Sequence, residues 1–298
     1  MSDHSPKALE SYKPGREFFI GIDSDGCAFD TMEIKHKECF CPQYIKFFGL
    51  QPVSRHAREA WEFVNLYSVD RGANRFKTLL KCIDLLARRP EVRARRVHLP
   101  DMGPVKQWAD HAEALSNGPL KEHIKSHNAP ILRATLEWSL RVNEVVADIV
   151  SGVPPFPLVE ETLVKAAPRA DMMVVSATPC EALEREWQEH GIARHVRLIA
   201  GQEMGSKAQH LATAAKPHFP GERILMIGDA PGDMKAARSV GALYFPIVPH
   251  HEEESWQRLH DEGLDRFLAG TYKGAYEDAL VREFEKCLPN TPPWKEVQ

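Results

Sequence analysis

Three short apolar runs, far apart along the chain, limit the folds that are open to it. They are FFIGI at 18–22, MMVVS at 172–176 and RILMIG at 223–228, and each stops at small or acidic residues. Short runs of continuous apolar residues are typical of strands buried on both faces, as in a parallel sheet. From residue 171 onward the runs alternate with helical patterns, which predicts a parallel sheet covered by helices.

Two further segments extend the predicted sheet. VRLIAG at 196–201 is a candidate short strand. ALYFPIV at 242–248 is predicted to lie near a sheet edge, or to end there, because Pro246 has no N–H for the ladder. After residue 249, two segments with helical periodicity are predicted to close the core, and the last residues, PNTPPWKEVQ, form a tail.

The stretch between the first two runs is far longer than a single crossover connection. It spans about 140 residues, its segments follow the helical period, and it has no convincing alternating strand pattern. We therefore predict an α/β core in two pieces, residues 1–30 and 166–298, with an all-helical domain inserted at 31–165.

Charge and hydropathy exclude several classes of partner. The formal net charge is -4 with both signs mixed throughout, so no basic stripe favours nucleic acid. The start of the chain has no apolar signal core, and no run of apolar residues is long enough for a membrane span. The six cysteines lack a repeated metal-binding spacing and are expected to be reduced and mostly buried. We expect a cytoplasmic protein, monomeric or homodimeric, with no nucleic-acid or membrane partner.

Acidic and hydroxyl side chains lie at the ends of the three apolar runs FFIGI, MMVVS and RILMIG. They are Asp23 and Asp25, Ser176 and Thr178, and Asp229 and Asp233. In an open parallel sheet the carboxyl ends of the strands form the ligand-binding edge. Several carboxylates meeting there would repel one another, which predicts a cation among them, and oxygen ligands favour Mg²⁺ over Zn²⁺.

These segments resemble the four motifs of the haloacid dehalogenase superfamily, in the right order. IDSDGCAFD is similar to the first motif, VVSATP to the second and GDAPGD to the fourth, while Lys207 in GSKAQHL lies where the third-motif lysine is expected. The match covers residues 17–30 and about 170–250. Cys27 and Ala28 replace the threonine and leucine that commonly follow the glycine of the first motif.

The resemblance implies a Rossmann-like three-layer core with a central parallel sheet, and a mechanism. Asp23 would attack phosphorus to form an aspartyl-phosphate, and Asp25 would serve as general acid and then base. Ser176 and Lys207 would hold the phosphoryl oxygens. Mg²⁺ would be bound by Asp23, the backbone carbonyl of Asp25, Asp229 and Asp233.

The resemblance further implies that the inserted helical domain is a cap that closes over the site and contacts the substrate. In its segment NLYSVDRGANRF, Arg71 or Arg75 could bind an anionic group, and Thr178 is a candidate auxiliary contact. The implied activity is Mg²⁺-dependent hydrolysis of a small soluble phosphomonoester. The acid at Asp25 argues against a dehalogenase, which lacks it, and leaves a phosphomutase or a catalytically silent phosphometabolite-binding module as alternatives.

Simpler roles are open for several of these residues. Any one aspartate after a strand can cap a turn or a helix, and Asp30 is expected to cap the helix that begins near Met32. Lys216 or Lys235 could take the role of Lys207 in holding the phosphoryl oxygens. The two arginines could equally be solvated residues of a turn between helices.

Overall fold

The computed structural model describes residues 4–295, which form one parallel sheet and a large set of helices. The strands are β1 (Phe18–Ile22), β2 (Ala170–Val175), β3 (Leu198–Ala200), β4 (Ile224–Gly228) and β5 (Leu243–Pro246). They lie in the order β3-β2-β1-β4-β5, and every pair is parallel. The predicted sheet is therefore confirmed, including the short strand β3 and the edge position of β5.

The central strand β1 is buried on both faces by helices, which makes three layers. Ile20 and Ile22 belong to a core that includes Leu183 and Trp256, from helices that follow β2 and β5. On the opposite face, a Cβ atom on Gly21 would lie 3.1 Å from Leu211, in the helix that follows β3. This arrangement confirms the Rossmann-like α/β class.

Four helices of the sheet unit matter for the site and are named α1 (Cys180–Glu189), α2 (Lys207–Ala214), α3 (Pro231–Val240) and α4 (Glu252–Arg258). The other α-helices of this unit are Pro6–Glu10, Val159–Ala166, Leu264–Leu268 and Ala275–Cys287. Short 3₁₀ turns occupy Ile192–His195, Gln202–Met204 and Gly221–Arg223, and a π-helical turn occupies Leu259–Gly263.

The chain between β1 and β2 is helical, and no strand is assigned to residues 33–151. Helix Thr31–Ile34 runs through a π-helical turn, Lys35–Phe40, into Cys41–Phe47. The later helices are Ser54–Leu66, Arg75–Ala87, Pro90–Ala94, Gly103–His111, Asn117–Ser126 and Pro130–Ile149, with a 3₁₀ turn at Gln51–Val53. Trp61 and Trp138 pack edge to face at the centre of this unit.

The chain divides into two compact units whose boundaries differ from the predicted ones. Glu33–Ser151 and residues 288–295 form the helical unit, and Gly152–Cys287 joins residues 4–32 in the sheet unit. Helix Val159–Ala166 belongs to the sheet unit because Val159 and Leu163 are buried in its core. Residues 289–295 of the predicted tail belong to the helical unit because Trp294 packs against Phe63 and under the guanidinium of Arg89, and residues 296–298 lie outside the described part of the chain.

Helix Asn117–Ser126 of the helical unit begins where the sequence favours a turn. Its segment opens with Asn117, Gly118 and Pro119, which are typical of a turn, and a proline is tolerated in the first turn of a helix because its missing N–H has no intrahelical partner there. Within residues 4–295, no helix combines the length and the apolar character that crossing a bilayer requires.

Candidate active site

Three carboxylates meet at the carboxyl edge of the sheet. Ile22 at the end of β1 pairs with Val174 of β2 and Ile227 of β4, so the residues after these strands share one edge. Asp23, Asp229 and Asp233 each place one carboxylate oxygen there, within 4.8 Å of the other two. All three side chains are buried, which makes this the acidic cluster predicted from the strand ends.

The ammonium of Lys207 lies between two of these carboxylates. Its Nζ donates to Oδ2 of Asp23 at 2.5 Å and to Oδ1 of Asp233 at 2.6 Å. Lys207 is the first residue of α2, and Ser206 caps this helix by a reciprocal pair of hydrogen bonds with Gln209. The cap therefore holds the helix end that carries the lysine.

Burial dominates the electrostatics of this cluster. It raises the pKa of the Asp23 carboxyl to about 6, with Lys207 opposing the rise and Asp233 adding to it. The pKa of Asp233 is also raised, first by burial and then by Asp229. Burial alone would lower the pKa of Lys207, but the two carboxylates outweigh it and the pKa is raised. One ammonium among three acids leaves the cluster short of positive charge.

The fourth-motif loop packs too tightly for a side chain at Gly228. A Cβ atom there would lie 2.4 Å from the Cβ of Asp233. Asp233 lies in the first turn of α3, where its Oδ2 accepts from the backbone N–H of Ala230 at 3.0 Å. The glycine is thus what allows Asp233 to lie directly against the end of β4.

Asp25 has a hydroxyl donor on each carboxylate oxygen. Thr31 Oγ1 donates to Oδ1 at 2.5 Å, and Thr178 Oγ1 donates to Oδ2 at 2.6 Å. The turn that brings Asp25 into this position passes through Gly26 at φ 74°, a left-handed conformation that favours glycine. Thr31 was not predicted as a site residue, and no local pattern marks it.

Ser176 is buried directly after β2, at the same edge of the sheet. Its backbone N–H extends the ladder to Ala200 at 3.0 Å, and its Oγ accepts from the backbone N–H of Thr178 at 3.3 Å. The second-motif loop is therefore folded back on itself, with Ser176 and Thr178 side by side.

Ser24, between Asp23 and Asp25, joins the loop after β1 to helix α1. Its Oγ donates to Oε2 of Glu186 at 2.9 Å and accepts from the indole N–H of Trp187 at 2.9 Å. Its backbone N–H donates to Oδ1 of Asp23 at 2.8 Å. The sequence did not predict these contacts, because they depend on which face of helix α1 packs against the loop.

Lys207, rather than Lys216 or Lys235, is the lysine that belongs to the acidic cluster. Lys216 and Lys235 are exposed, whereas Lys207 contacts two of the carboxylates. Asp30 directly precedes the helix that begins at Thr31. Cys27 is fully buried, as a packing role requires.

Arg71 and Arg75 lie in the helical unit and bond to partners within it. Arg71 is buried, and its Nη1 donates to the carbonyl of Leu66 at 2.9 Å. Arg75 Nη1 donates to Oδ1 of Asn143 at 2.7 Å and to Oγ of Ser139 at 3.1 Å. Burial lowers the pKa of Arg75 to about 10, and these two acceptors are neutral. Arg75 is thus a desolvated cation rather than a solvated loop residue.

The acidic cluster fits a hard divalent cation. Its donors are carboxylate oxygens, they converge within 4.8 Å, and their burial leaves negative charge that Lys207 does not balance. Mg²⁺ prefers oxygen ligands of this kind. Asp23, Asp229 and Asp233 are the residues that could hold it.

The fold is similar to that of a solved hydrolase. No family model and no curated protein matches the chain. A haloacid dehalogenase-like family hydrolase from Streptococcus pneumoniae matches with a TM-score of 0.50 and 13% identity, over 80% of this chain and 90% of that one. A haloacid dehalogenase-superfamily hydrolase of subfamily IA from Geobacter sulfurreducens gives 0.40 and 13%, over 79% and 89%. A haloacid dehalogenase-like hydrolase from Xanthomonas campestris gives 0.40 and 14%, over 92% and 97%. The match to the Streptococcus pneumoniae protein shows that the chain has the haloacid dehalogenase fold, as its four motifs predicted.

Proposed function

We propose that the protein is a Mg²⁺-dependent hydrolase of a small phosphorylated metabolite that acts through an aspartyl-phosphate on Asp23. The observation that carries the proposal is the position of Asp23 at the end of the central strand. Its carboxylate is held there by Lys207 and the Ser24 N–H, beside Asp229 and Asp233. An anionic nucleophile fixed next to a cation and a metal-ligand set suits attack on a phosphate ester.

The proposed reaction has two steps. In the first, a carboxylate oxygen of Asp23 forms a bond to phosphorus while the ester bond breaks and Asp25 gives a proton to the leaving oxygen. In the second, water loses a proton to Asp25 and attacks phosphorus, which releases phosphate and regenerates Asp23. Lys207 and Ser176 would hold the equatorial phosphoryl oxygens during both steps.

The metal would be held by the carboxylates of Asp23 and Asp229 and the backbone carbonyl of Asp25. Asp233 would be a further ligand or an acceptor behind the first three. When bound, Mg²⁺ supplies the positive charge that offsets repulsion between the Asp23 carboxylate and the phosphate. Lys207 alone cannot do this, because it already balances two acids.

The substrate would be selected by the helical unit, acting as a cap. Arg75 supports this role because burial has already removed most of its water while its bonded acceptors are neutral, so an anionic group would be a favourable partner. Arg71, in the same turn between helices, is the second candidate contact. We further propose that the enzyme works in the cytoplasm, as a monomer or a homodimer.

Hydrolysis of p-nitrophenyl phosphate by the purified protein tests the proposal. We expect turnover with Mg²⁺, none after chelation, and a loss of about 10³-fold or more in kcat for Asp23→Asn. Asp278→Asn is the matched control, because it makes the same change at an exposed position of the sheet unit. Equal near-zero turnover of wild type and Asp23→Asn would favour the binding module instead.

A crystal structure with fluoroberyllate or vanadate tests the nucleophile directly. The adduct is expected on the carboxylate of Asp23. Density for it on any other side chain would refute the assignment.

A further inference from the structure

The carboxylate of Asp25 is held at both ends, and the two donors come from distant parts of the chain. Thr31 belongs to the helix that follows the nucleophile loop, and Thr178 belongs to the loop after β2. A carboxylate with one hydroxyl on each oxygen cannot rotate without breaking a hydrogen bond. Its plane is therefore fixed relative to both loops.

Thr178 is itself anchored on both sides of its side chain. Its backbone N–H donates to Ser176 Oγ at 3.3 Å, and its carbonyl accepts from the N–H of Gln202 at 3.0 Å. Pro179 follows and restricts the next φ angle. The hydroxyl of Thr178 is thus presented to Asp25 from a rigid loop, so it can determine where the carboxylate lies.

Both hydrogen bonds leave Asp25 able to carry a proton. Each carboxylate oxygen has two lone pairs, and one threonine hydroxyl occupies only one of them. In the proposed role, the proton that is given to the leaving group and later recovered from water would bind through another lone pair of this carboxylate. Fixing the direction of that lone pair lowers the entropic cost of proton transfer.

From this geometry we propose that Thr178 is a positioning residue for proton transfer by Asp25 rather than a substrate contact. The inference rests on the proposed function, since it assumes that Asp25 protonates the leaving oxygen as the Asp23–phosphorus bond forms. Thr178 makes no bond to the reacting atoms in this role. It acts by holding the Asp25 carboxylate in one orientation through its hydroxyl.

Comparing substrates with different leaving groups distinguishes a defect in proton transfer from other defects. An alkoxide is a strong base and leaves only with a proton, whereas p-nitrophenolate leaves readily without one. A defect confined to proton transfer therefore slows alkyl phosphates far more than p-nitrophenyl phosphate. A defect in folding, metal binding or nucleophilic attack slows both substrates by similar factors.

The experiment compares glycerol 2-phosphate with p-nitrophenyl phosphate for wild type, Thr178→Val and Thr178→Ser. Valine matches the shape of threonine without the hydroxyl, and serine keeps the hydroxyl. For Thr178→Val we expect kcat on glycerol 2-phosphate to fall about 30- to 100-fold and kcat on p-nitrophenyl phosphate about threefold. Because Thr178→Ser keeps the hydroxyl, its kcat on glycerol 2-phosphate is expected to stay close to that of wild type. Asp25→Asn serves as the reference and should show the same preference for the better leaving group. Adding Thr178→Val to Asp25→Asn should lower kcat on glycerol 2-phosphate little further, because both changes act on the same proton transfer.

Three results would overturn the inference. Parallel losses of kcat on both substrates, with a lowered melting temperature, would make the role of Thr178 structural. A rise in KM with kcat unchanged would make it a substrate contact. If wild type hydrolyses neither ester, the proposed function fails and this inference fails with it, which distinguishes that case from the other two.

Discussion

The indole N–H of Trp256 donates to the backbone carbonyl of Cys27 at 2.8 Å, across 229 positions of sequence. Both residues are fully buried, and Trp256 belongs to helix α4. A second indole, that of Trp187, bonds to Ser24 in the same loop. The turn that carries the proposed nucleophile is therefore braced by two buried tryptophans, neither of which belongs to a motif.

Trp256→Phe removes this donor while keeping an aromatic ring in the core. Because the Cys27 carbonyl is buried, we expect the lost hydrogen bond to cost about 1–2 kcal/mol beyond the loss of packing, and kcat to fall. Chemical denaturation and p-nitrophenyl phosphate turnover measure the two effects.

Trp138→Phe is the matched control for this change. Trp138 is also fully buried, and among residues 4–295 its indole N–H has no hydrogen-bond partner. If both variants lose the same stability and neither loses activity, the brace has no effect on the loop.

Lys207→Met removes the ammonium from the acidic cluster. It leaves three buried carboxylates facing one another, so we expect the variant without metal to lose about 3 kcal/mol of unfolding free energy at neutral pH. Mg²⁺ should restore part of this loss. Denaturation with and without Mg²⁺ measures it, with Lys216→Met at an exposed site as control. Similar losses for the two variants would contradict the compensating role of Lys207.

Mg²⁺ should raise the melting temperature of the wild-type protein. A ligand that binds only the folded state stabilises it by about 2.7 kcal/mol at a hundred times its Kd. Asp229→Asn removes a proposed ligand and should abolish most of this shift, whereas Asp278→Asn should keep it. An unchanged shift for Asp229→Asn would place the metal elsewhere.

His210 predicts a pH dependence of stability that does not involve the metal ligands. Burial first, and then the charge of Lys207, lower its pKa to about 4 in the folded protein, against an ordinary value near 6.5. Below that ordinary value the unfolded chain takes up a proton that the folded protein does not. This contribution to stability is therefore complete above pH 6.5 and is lost as the pH falls toward 4, by about 3 kcal/mol in all.

His210→Gln should flatten the decline in unfolding free energy between pH 7 and pH 5. The exposed His98→Gln is its control and should leave the slope unchanged. A slope for His210→Gln equal to that of wild type would show that other groups cause the decline.

Arg75→Ala and Arg71→Ala test the proposed substrate contacts. If either guanidinium binds an anionic group, KM should rise by roughly 10-fold or more for a substrate with a second anionic group and little for p-nitrophenyl phosphate. A screen of sugar phosphates, nucleotides and acid phosphates supplies the first substrate. Equal effects on both substrates would leave the arginines with a structural role only.

The strands and the residues at their ends were predictable because they depend on local sequence. The short apolar runs FFIGI and RILMIG are typical of buried strands. Asp23 and Asp229 could be predicted as site residues because each comes directly after one of these strands. The boundary at Gly152 was not predictable, because whether helix Val159–Ala166 packs on one unit or the other depends on tertiary contacts. The Thr31 and Thr178 bonds to Asp25 were missed for the same reason, since nothing in IDSDGCAFD indicates which hydroxyls reach it.

The long insertion between β1 and β2 also sets the order in which the acidic edge of the sheet can be completed on the ribosome. In β1, Phe18 pairs with Ala170 on one side and Phe19 pairs with Ile224 on the other, so the partner strands of β1 are synthesised long after it. The proposed nucleophile is therefore synthesised 184 residues before the lysine that contacts it, and the carboxylates of Asp229 and Asp233 and the indole of Trp256 emerge later still. Contacts this distant in sequence slow folding and leave a long nascent segment exposed. A chain interrupted before Trp256 would hold all four motifs but lack the α4 contact to the loop after β1.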